Sequence, residues 1–132
     1  MSDKELILVV DDDPDLVDMV ATKLAANNYR IAKAYDGVQA WEQIRKEKPA
    51  MVIMDVMMPK ESGIHMYREV KKDPQLSGIP VIMVSALSKK TFFHSQKVVD
   101  EYEGVQMPEP AAYIEKPPEA DELLEVIRKI LP

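Results

Sequence analysis

An α/β fold, with a parallel sheet covered by helices on both faces, is what this sequence predicts. Three observations carry that expectation. Short, unbroken apolar runs (Leu6–Val10, Met51–Met54, Val81–Val84) read as strands buried on both sides, not as the alternation of a half-solvated sheet. Segments of helical period separate these runs. All four glycines, and most of the ten prolines, fall between one kind of segment and the next. Strands alternating with helices five times over imply a parallel sheet, with right-handed crossovers.

Each element has its own local reasons. Leu6-Ile7-Leu8-Val9-Val10 is the first strand. Asp11-Asp12-Asp13-Pro14 follows, where Asp13 can cap a helix and Pro14 suits its first turn. That helix is expected to run to about Asn27-Asn28, with Leu16, Val17, Val20 and Leu24 inward. Tyr29 to Tyr35 is a less apolar strand, nearer a sheet edge, ended by Asp36-Gly37. The next helix should turn Val38, Trp41 and Ile44 inward and stop before Pro49. The third strand runs from Met51 into Asp55, and Pro59 closes the loop after it. A polar turn, Lys60 to Gly63, leads to a helix from about Ser62 to Lys72, broken by Asp73-Pro74. Gly78-Ile79-Pro80 introduces the fourth strand, Val81 to Val84, which ends at Ser85-Ala86. Leu87 to Tyr102 reads as a helix with Phe92, Val98, Val99 and Tyr102 available for packing. A loop from Glu103 to Pro110 precedes the fifth strand, Ala111 to Ile114, which Glu115-Lys116-Pro117-Pro118 terminates. The last helix puts Ala120, Leu123, Leu124, Ile127 and Ile130 on one side.

The totals exclude several classes. A length of 132 residues predicts one domain, and 46% hydrophobic with 30% charged residues leaves enough apolar material for a core. The chain has no cysteine, hence no disulfide and no thiolate metal site, which fits a reducing cytosol. No apolar run approaches the length of a membrane span, and the N-terminal one meets three aspartates at once, unlike a signal peptide. With net charge −6 and lysines scattered in pairs, no nucleic-acid footprint is expected.

In open α/β sheets, ligands bind beyond the carboxyl ends of the strands. Listing the polar residues there gives Asp11 and Asp12 from the first strand, Asp55 from the third, Ser85 from the fourth and Lys116 from the fifth. Taken singly, each has an ordinary explanation. An acidic run before a helix complements the helix dipole, Asp55 starts a turn, Ser85 is a loop residue, and Lys116 is a surface lysine. Taken together they gather at one sheet edge. Three carboxylates in one crevice repel one another unless a cation neutralises them. Oxygen ligands without His or Cys suit Mg2+, with Mn2+ as substitute. With a lysine and a hydroxyl beside them, the group suits a phosphoryl transfer in which Asp55, the lone acid on a central strand, is the nucleophile.

Val-Val-Asp-Asp-Asp-Pro (9–14), Met-Asp-Val-Met-Met-Pro (54–59) with Gly63, Val-Ser-Ala (84–86) and Tyr-Ile-Glu-Lys-Pro (113–117) stand in this order along the chain. On these motifs the sequence resembles the receiver domain of bacterial two-component response regulators, from about Glu5 to Leu131. The resemblance implies a flavodoxin-like (βα)5 fold with strand order 2-1-3-4-5, making residues 1–132 a single receiver domain with no effector domain. It implies that Asp55 accepts a phosphoryl group from the phosphohistidine of a sensor histidine kinase or phosphotransfer protein, or from a small phosphodonor such as acetyl phosphate. Mg2+ would be held by Asp12, Asp55 and the backbone carbonyl of Met57, with Asp11 assisting. Lys116 would contact the phosphoryl oxygens, with a cis peptide before Pro117. Ser85 would shift to the acyl phosphate and the aromatic Tyr113 would turn inward. The face made by the fourth helix, fifth strand and fifth helix would then be read by a downstream protein or by a second copy, with no direct contact to nucleic acid or membrane.

Two departures from the family pattern carry expectations. Ser85 stands where threonine is commoner, keeping the hydroxyl. The Glu103–Pro110 loop lengthens the segment before Lys116 and lies on the signalling face. Met57 and Leu87, both apolar, occupy positions that tune water access, so slow self-dephosphorylation is expected. His65 and His94 lie away from the strand ends and read as surface helix residues.

Other functions fit less well. A phosphohydrolase of the haloacid dehalogenase type needs a second acid two residues after its nucleophile, and Met57 stands there. A flavin-binding module needs a Ser-, Thr- and Gly-rich phosphate loop after the first strand, and the triple aspartate would repel the phosphate. A degenerate receiver would lack some of the five site residues, and all are present. The chain is therefore read as a switch and not as an enzyme acting on a separate substrate.

Overall fold

A computed structural model describes residues 4–57 and 63–131. Met58, Pro59 and the polar turn expected over Lys60–Ser62 lie outside the described residues. Strands β1 (Leu6–Val10), β2 (Arg30–Ala34), β3 (Met51–Met54), β4 (Val81–Ser85) and β5 (Ala112–Glu115) alternate with helices α1 (Pro14–Ala25), α2 (Gly37–Lys46), α3 (Gly63–Lys72), α4 (Lys89–Glu103) and α5 (Ala120–Ile130). The strands form one parallel sheet in the order β2-β1-β3-β4-β5, the flavodoxin-like topology.

The unbroken apolar strands are explained by the two layers they serve. Leu8, Val10, Val52, Met54, Val81 and Met83 face one way and pack against Ala40, Ile44, Met66, Tyr67, Val70 and Phe92 of α2, α3 and α4. Ile7, Val9, Met51, Ile53, Ile82 and Val84 face the other way, against Val17, Val20 and Leu24 of α1 and Leu123, Leu124 and Ile127 of α5. Successive strand residues alternate between two cores because the side-chain period of a strand is 2. The outer strands β2 and β5 are the less buried ones.

Local chemistry sets the helix starts. Asp13 caps α1 by accepting the Asp15 N–H at 3.0 Å, with Pro14 just inside. Asp36 caps α2 through the Gln39 N–H at 2.8 Å while the Gln39 side chain takes the Tyr35 N–H at 2.9 Å, a reciprocal pair of caps. Ser88, not Leu87, opens α4, and Gly104 closes it at φ 70°, the left-handed conformation that favours glycine.

Three packing expectations are corrected. On α2, Ile44 is buried and Trp41 is half-buried against the core, as expected, and Gly37 and Ala40 are buried with them, while Val38 is exposed. The buried stripe runs through residues 37, 40 and 44 at helical spacing, and Val38 lies off it. On α4, Phe92 and Gln96 are buried, whereas Val98 and Tyr102 point to solvent, Tyr102 with 92% of its surface exposed. The inner stripe of α4 follows Phe92, Gln96 and the polar groups beyond it, about one turn apart, so residues 98 and 102 fall on the far side.

Candidate functional site

The backbone ladder continues one residue past β1, β3 and β5, and these extra pairings set the site. The Asp11 N–H donates to the Ala34 carbonyl at 3.2 Å, that of Asp55 to Val10 at 3.1 Å, and that of Lys116 to Ser85 at 2.8 Å. Asp11 and Asp55 thus leave adjacent strands side by side. Both are buried, and so is Ser85, while Asp12 is exposed at the rim.

The carboxylates of Asp11, Asp12 and Asp55 each offer an oxygen within 4.8 Å of the others. The Lys116 ammonium reaches between two of them, 2.9 Å from Asp11 Oδ2 and 3.2 Å from Asp55 Oδ2. Backbone donors hold the other oxygens: the Asp13 N–H is 3.0 Å from Asp11 Oδ1, and the Met57 N–H is 3.1 Å from Asp55 Oδ1. The peptide from Lys116 to Pro117 is cis. The five residues expected to meet, Asp11, Asp12, Asp55, Ser85 and Lys116, therefore do lie at one edge of the sheet, with Met57 beside them, its side chain exposed.

The charges in this crevice are not balanced. Burial pushes the Asp11 carboxyl above its ordinary value, and the Asp55 charge adds to this against the pull of the Asp13 N–H and of Lys116. For Lys116, burial works downward, but Asp11 and then Asp55 outweigh it, and the ammonium ends above its ordinary value. The Asp11–Lys116 approach is an ion pair without a well-directed hydrogen bond, so Asp11 Oδ2 is a buried acceptor with no hydrogen-bond donor. An under-satisfied buried oxygen facing two further carboxylates suits a hard divalent cation, which binds through oxygen.

Ser85 and Tyr113 meet at the turn between β4 and α4. Ser85 Oγ accepts the Leu87 N–H at 3.1 Å, and the Tyr113 hydroxyl donates to the Leu87 carbonyl at 2.6 Å. The Tyr113 ring lies half-buried, 4.8 Å from the Phe92 ring and 6.2 Å from that of Phe93. Burial raises its phenol, with the Ser85 hydroxyl pulling the other way. Leu87 is thus held by the serine through its N–H and by the tyrosine through its C=O.

Two residues of α3, one beside this site and one further along the helix, carry more than their sequence position suggested. Gly63, which starts α3, donates its N–H to the Val56 carbonyl at 2.8 Å, and a Cβ added there would fall onto the Asp55 carbonyl oxygen. Arg68, an unremarked base on α3, is buried and ion-paired to Asp100 and Glu103 of α4. Its place in a run reading Tyr-Arg-Glu-Val gave no warning of burial. His65 and His94 are both exposed, as expected.

Comparisons with known proteins identify the family. Residues 7–128 match the family described as response regulator receiver domain. The chain is 35% identical over 128 residues to ycf27 of Pyropia yezoensis, named as a probable transcriptional regulator, covering 97% of this chain and 48% of that protein. It is 32% identical over 125 residues to Protein PilH of Pseudomonas aeruginosa, covering 95% of this chain and 96% of that one. The chain spans about half the length, or less, of the first curated relatives it matches. Among solved structures, the chemotaxis response regulator CheY4 of Vibrio cholerae superposes with a TM-score of 0.80 over 96% of this chain and 98% of that one. Its sequence identity is 24%, a likeness of fold alone.

Proposed function

We propose, because this chain belongs to the response regulator receiver domain family, that it is a switch that takes a phosphoryl group onto Asp55. The donor is the phosphohistidine of a sensor histidine kinase or phosphotransfer protein, with acetyl phosphate as a small substitute. An Asp55 carboxylate oxygen attacks phosphorus. The P–N bond breaks, its electron pair returns to the imidazole nitrogen, and an acyl phosphate remains.

The observation that carries this reading is the Lys116 ammonium set between Asp11 and Asp55 at 2.9 and 3.2 Å inside a three-carboxylate cluster. In this reading Lys116 neutralises phosphoryl oxygens, and the Met57 N–H, 3.1 Å from Asp55 Oδ1, orients the carboxylate. Mg2+, or Mn2+ in its place, fits Asp12, Asp55 and the Met57 carbonyl with Asp11 assisting, and when bound it screens charge between nucleophile and phosphoryl group.

A dianion on Asp55 draws the Ser85 hydroxyl toward it. That movement releases the Leu87 N–H, and the Tyr113 hydroxyl on the Leu87 carbonyl carries the change to β5 and α4. The α4–β5–α5 face is then read by a downstream protein or by a second copy. The only reactions catalysed are the chain's own phosphorylation and dephosphorylation, and the proposed compartment is the cytoplasm. Among the described residues no helix is long and apolar enough to cross a membrane.

Incubation with Mg2+ and acetyl phosphate, read by intact-mass spectrometry, tests this. A gain of one phosphoryl group that Asp55→Asn removes is the expected result. Equal incorporation in the variant would show that Asp55 is not the acceptor.

A further inference from the structure

Arg68 is a buried charge that the phosphoacceptor chemistry does not use, with 3% of its surface exposed. Its guanidinium reaches from α3 to the C-terminal part of α4. One nitrogen lies 2.6 Å from Asp100 Oδ1 and 3.4 Å from Gln96 Oε1, and two others lie 2.7 and 3.1 Å from Glu103 Oε1. Lys72, one turn along α3, adds a second cation 3.4 Å from the same Glu103 oxygen.

The same polar knot captures the loop that follows α4. Asp100 Oδ1, already paired with Arg68, accepts the Met107 N–H at 3.3 Å, and the Asp100 carbonyl takes the N–H groups of Gly104 and Val105 at 2.9 and 3.2 Å. The Tyr67 hydroxyl, beside Arg68 on α3, donates to the Pro108 carbonyl at 2.5 Å. Since Met66, Tyr67 and Val70 are fully buried against the sheet, α3 is a fixed base for these ties.

The other end of α4 is tied elsewhere. Ser88 caps it, and Phe92 and Phe93 rest on Tyr113, which is bonded to the turn that Ser85 also holds. One helix therefore has its first turns attached to the switch pair and its last turns attached to α3.

We propose that the Arg68–Asp100–Glu103 clamp divides α4 into two parts. Residues 88–93 follow Ser85 and Tyr113, while residues 96–108, including the lengthened loop, are held on α3 and stay in place. This inference rests on the phosphoacceptor reading of Asp55 and refines it: the phosphorylation-dependent surface is the start of α4 with β5, and the 104–108 segment is a fixed shelf beside it. Arg68 acts here as a positioning residue. It holds its charge because charge-assisted, multiply bonded partners surround it.

Hydrogen exchange read by mass spectrometry tests the division, with and without Mg2+ and beryllium fluoride. In the native chain, exchange should change over 86–93 and 112–116 and stay within about twofold over 96–108. Arg68→Met, and the volume-preserving Asp100→Asn, should each raise exchange over 104–108 by about tenfold in the unliganded protein. In both variants the beryllium fluoride response should spread into 96–108. Unchanged exchange over 104–108 in both variants overturns the clamp, as does a native response that already spans 96–108. A chain that ignores beryllium fluoride everywhere overturns the Asp55 reading and with it the division of α4. The unliganded comparison still judges the clamp by itself.

Discussion

Replacing Gly63 by alanine should damage stability and phosphoryl acceptance together. An added Cβ lands on the Asp55 carbonyl oxygen and sits 2.8 Å from Val56 Cα and 2.9 Å from the Asp55 carbonyl carbon. Unbonded carbons prefer about 3.5–4.0 Å, so the start of α3 and the end of β3 must separate by roughly 1 Å. All three neighbours are backbone, so no rotamer change relieves the contact. The Gly63 N–H bond to Val56, now 2.8 Å, lengthens with the same movement. Overpacking of this kind costs about 1–3 kcal/mol. Alanine's better helix propensity offsets at most about 1 kcal/mol of that. With the full offset the net loss is up to about 2 kcal/mol, which lowers Tm by as much as roughly 8 °C for a chain of this size. The moved group is the backbone that carries Asp55, and a displacement of about 1 Å at a reacting group costs on the order of 100-fold in rate. Thermal unfolding followed at Trp41, with acetyl phosphate incorporation measured well below Tm, separates the two effects. A Gly63→Ala chain that melts with the native protein and takes up phosphate at its rate would refute the reasoning.

The acidic crevice makes a pH-dependent prediction. The folded-state value of Asp11 lies above the ordinary 3.8, so its stabilising contribution is present below 3.8 and is lost as pH rises through the folded value. The metal-free chain therefore carries a cost at neutral pH, and Asp11→Asn should raise its melting temperature there while weakening Mg2+ binding. Lys116 keeps its Asp55 partner in that variant. For the native chain, stabilisation by Mg2+ in calorimetry should grow from the acid range to neutrality. Equal stabilisation at both ends would refute a role for ionised carboxylates in the cation site. Met57 supplies the other test. Its exposed side chain cannot orient water, so the acyl phosphate should be long-lived. Met57→Glu should shorten that lifetime by about tenfold, below the roughly 10²–10⁴-fold contribution of a fully positioned base. A native lifetime of only seconds would contradict this.

Much of the fold was legible because its determinants are local. A strand buried on two faces has to be apolar at every position, so β1, β3 and β4 stand out as runs, and a polar residue directly after each run has to sit at the sheet edge. That logic picks out Asp11, Asp55 and Ser85. Asp13 is legible as a cap because it acts on an N–H only two residues on; Asp36, Ser88 and Gly104 act over similarly short range, but as caps that only the structure identifies. The strand order was different: alternation establishes a parallel sheet, and only the motif resemblance supplied 2-1-3-4-5.

Tertiary structure decided what depends on partners distant in sequence. Arg68 reads as one more basic residue on a helix, and its burial exists only because Asp100 and Glu103, 32 and 35 residues away, meet it across α3 and α4. Tyr102 and Val98 looked fit for packing, but the helix rotation is set by Phe92, Gln96 and that clamp. The exclusion of any side chain at Gly63 comes from a carbonyl eight residues earlier in the chain that the β3–α3 connection folds back upon it. At Asp55 itself both levels meet. Sequence places the carboxylate at the strand end, and the lateral order of the strands brings the Lys116 ammonium to 3.2 Å from Asp55 and 2.9 Å from Asp11, since Coulomb forces act on separation in space and not along the chain.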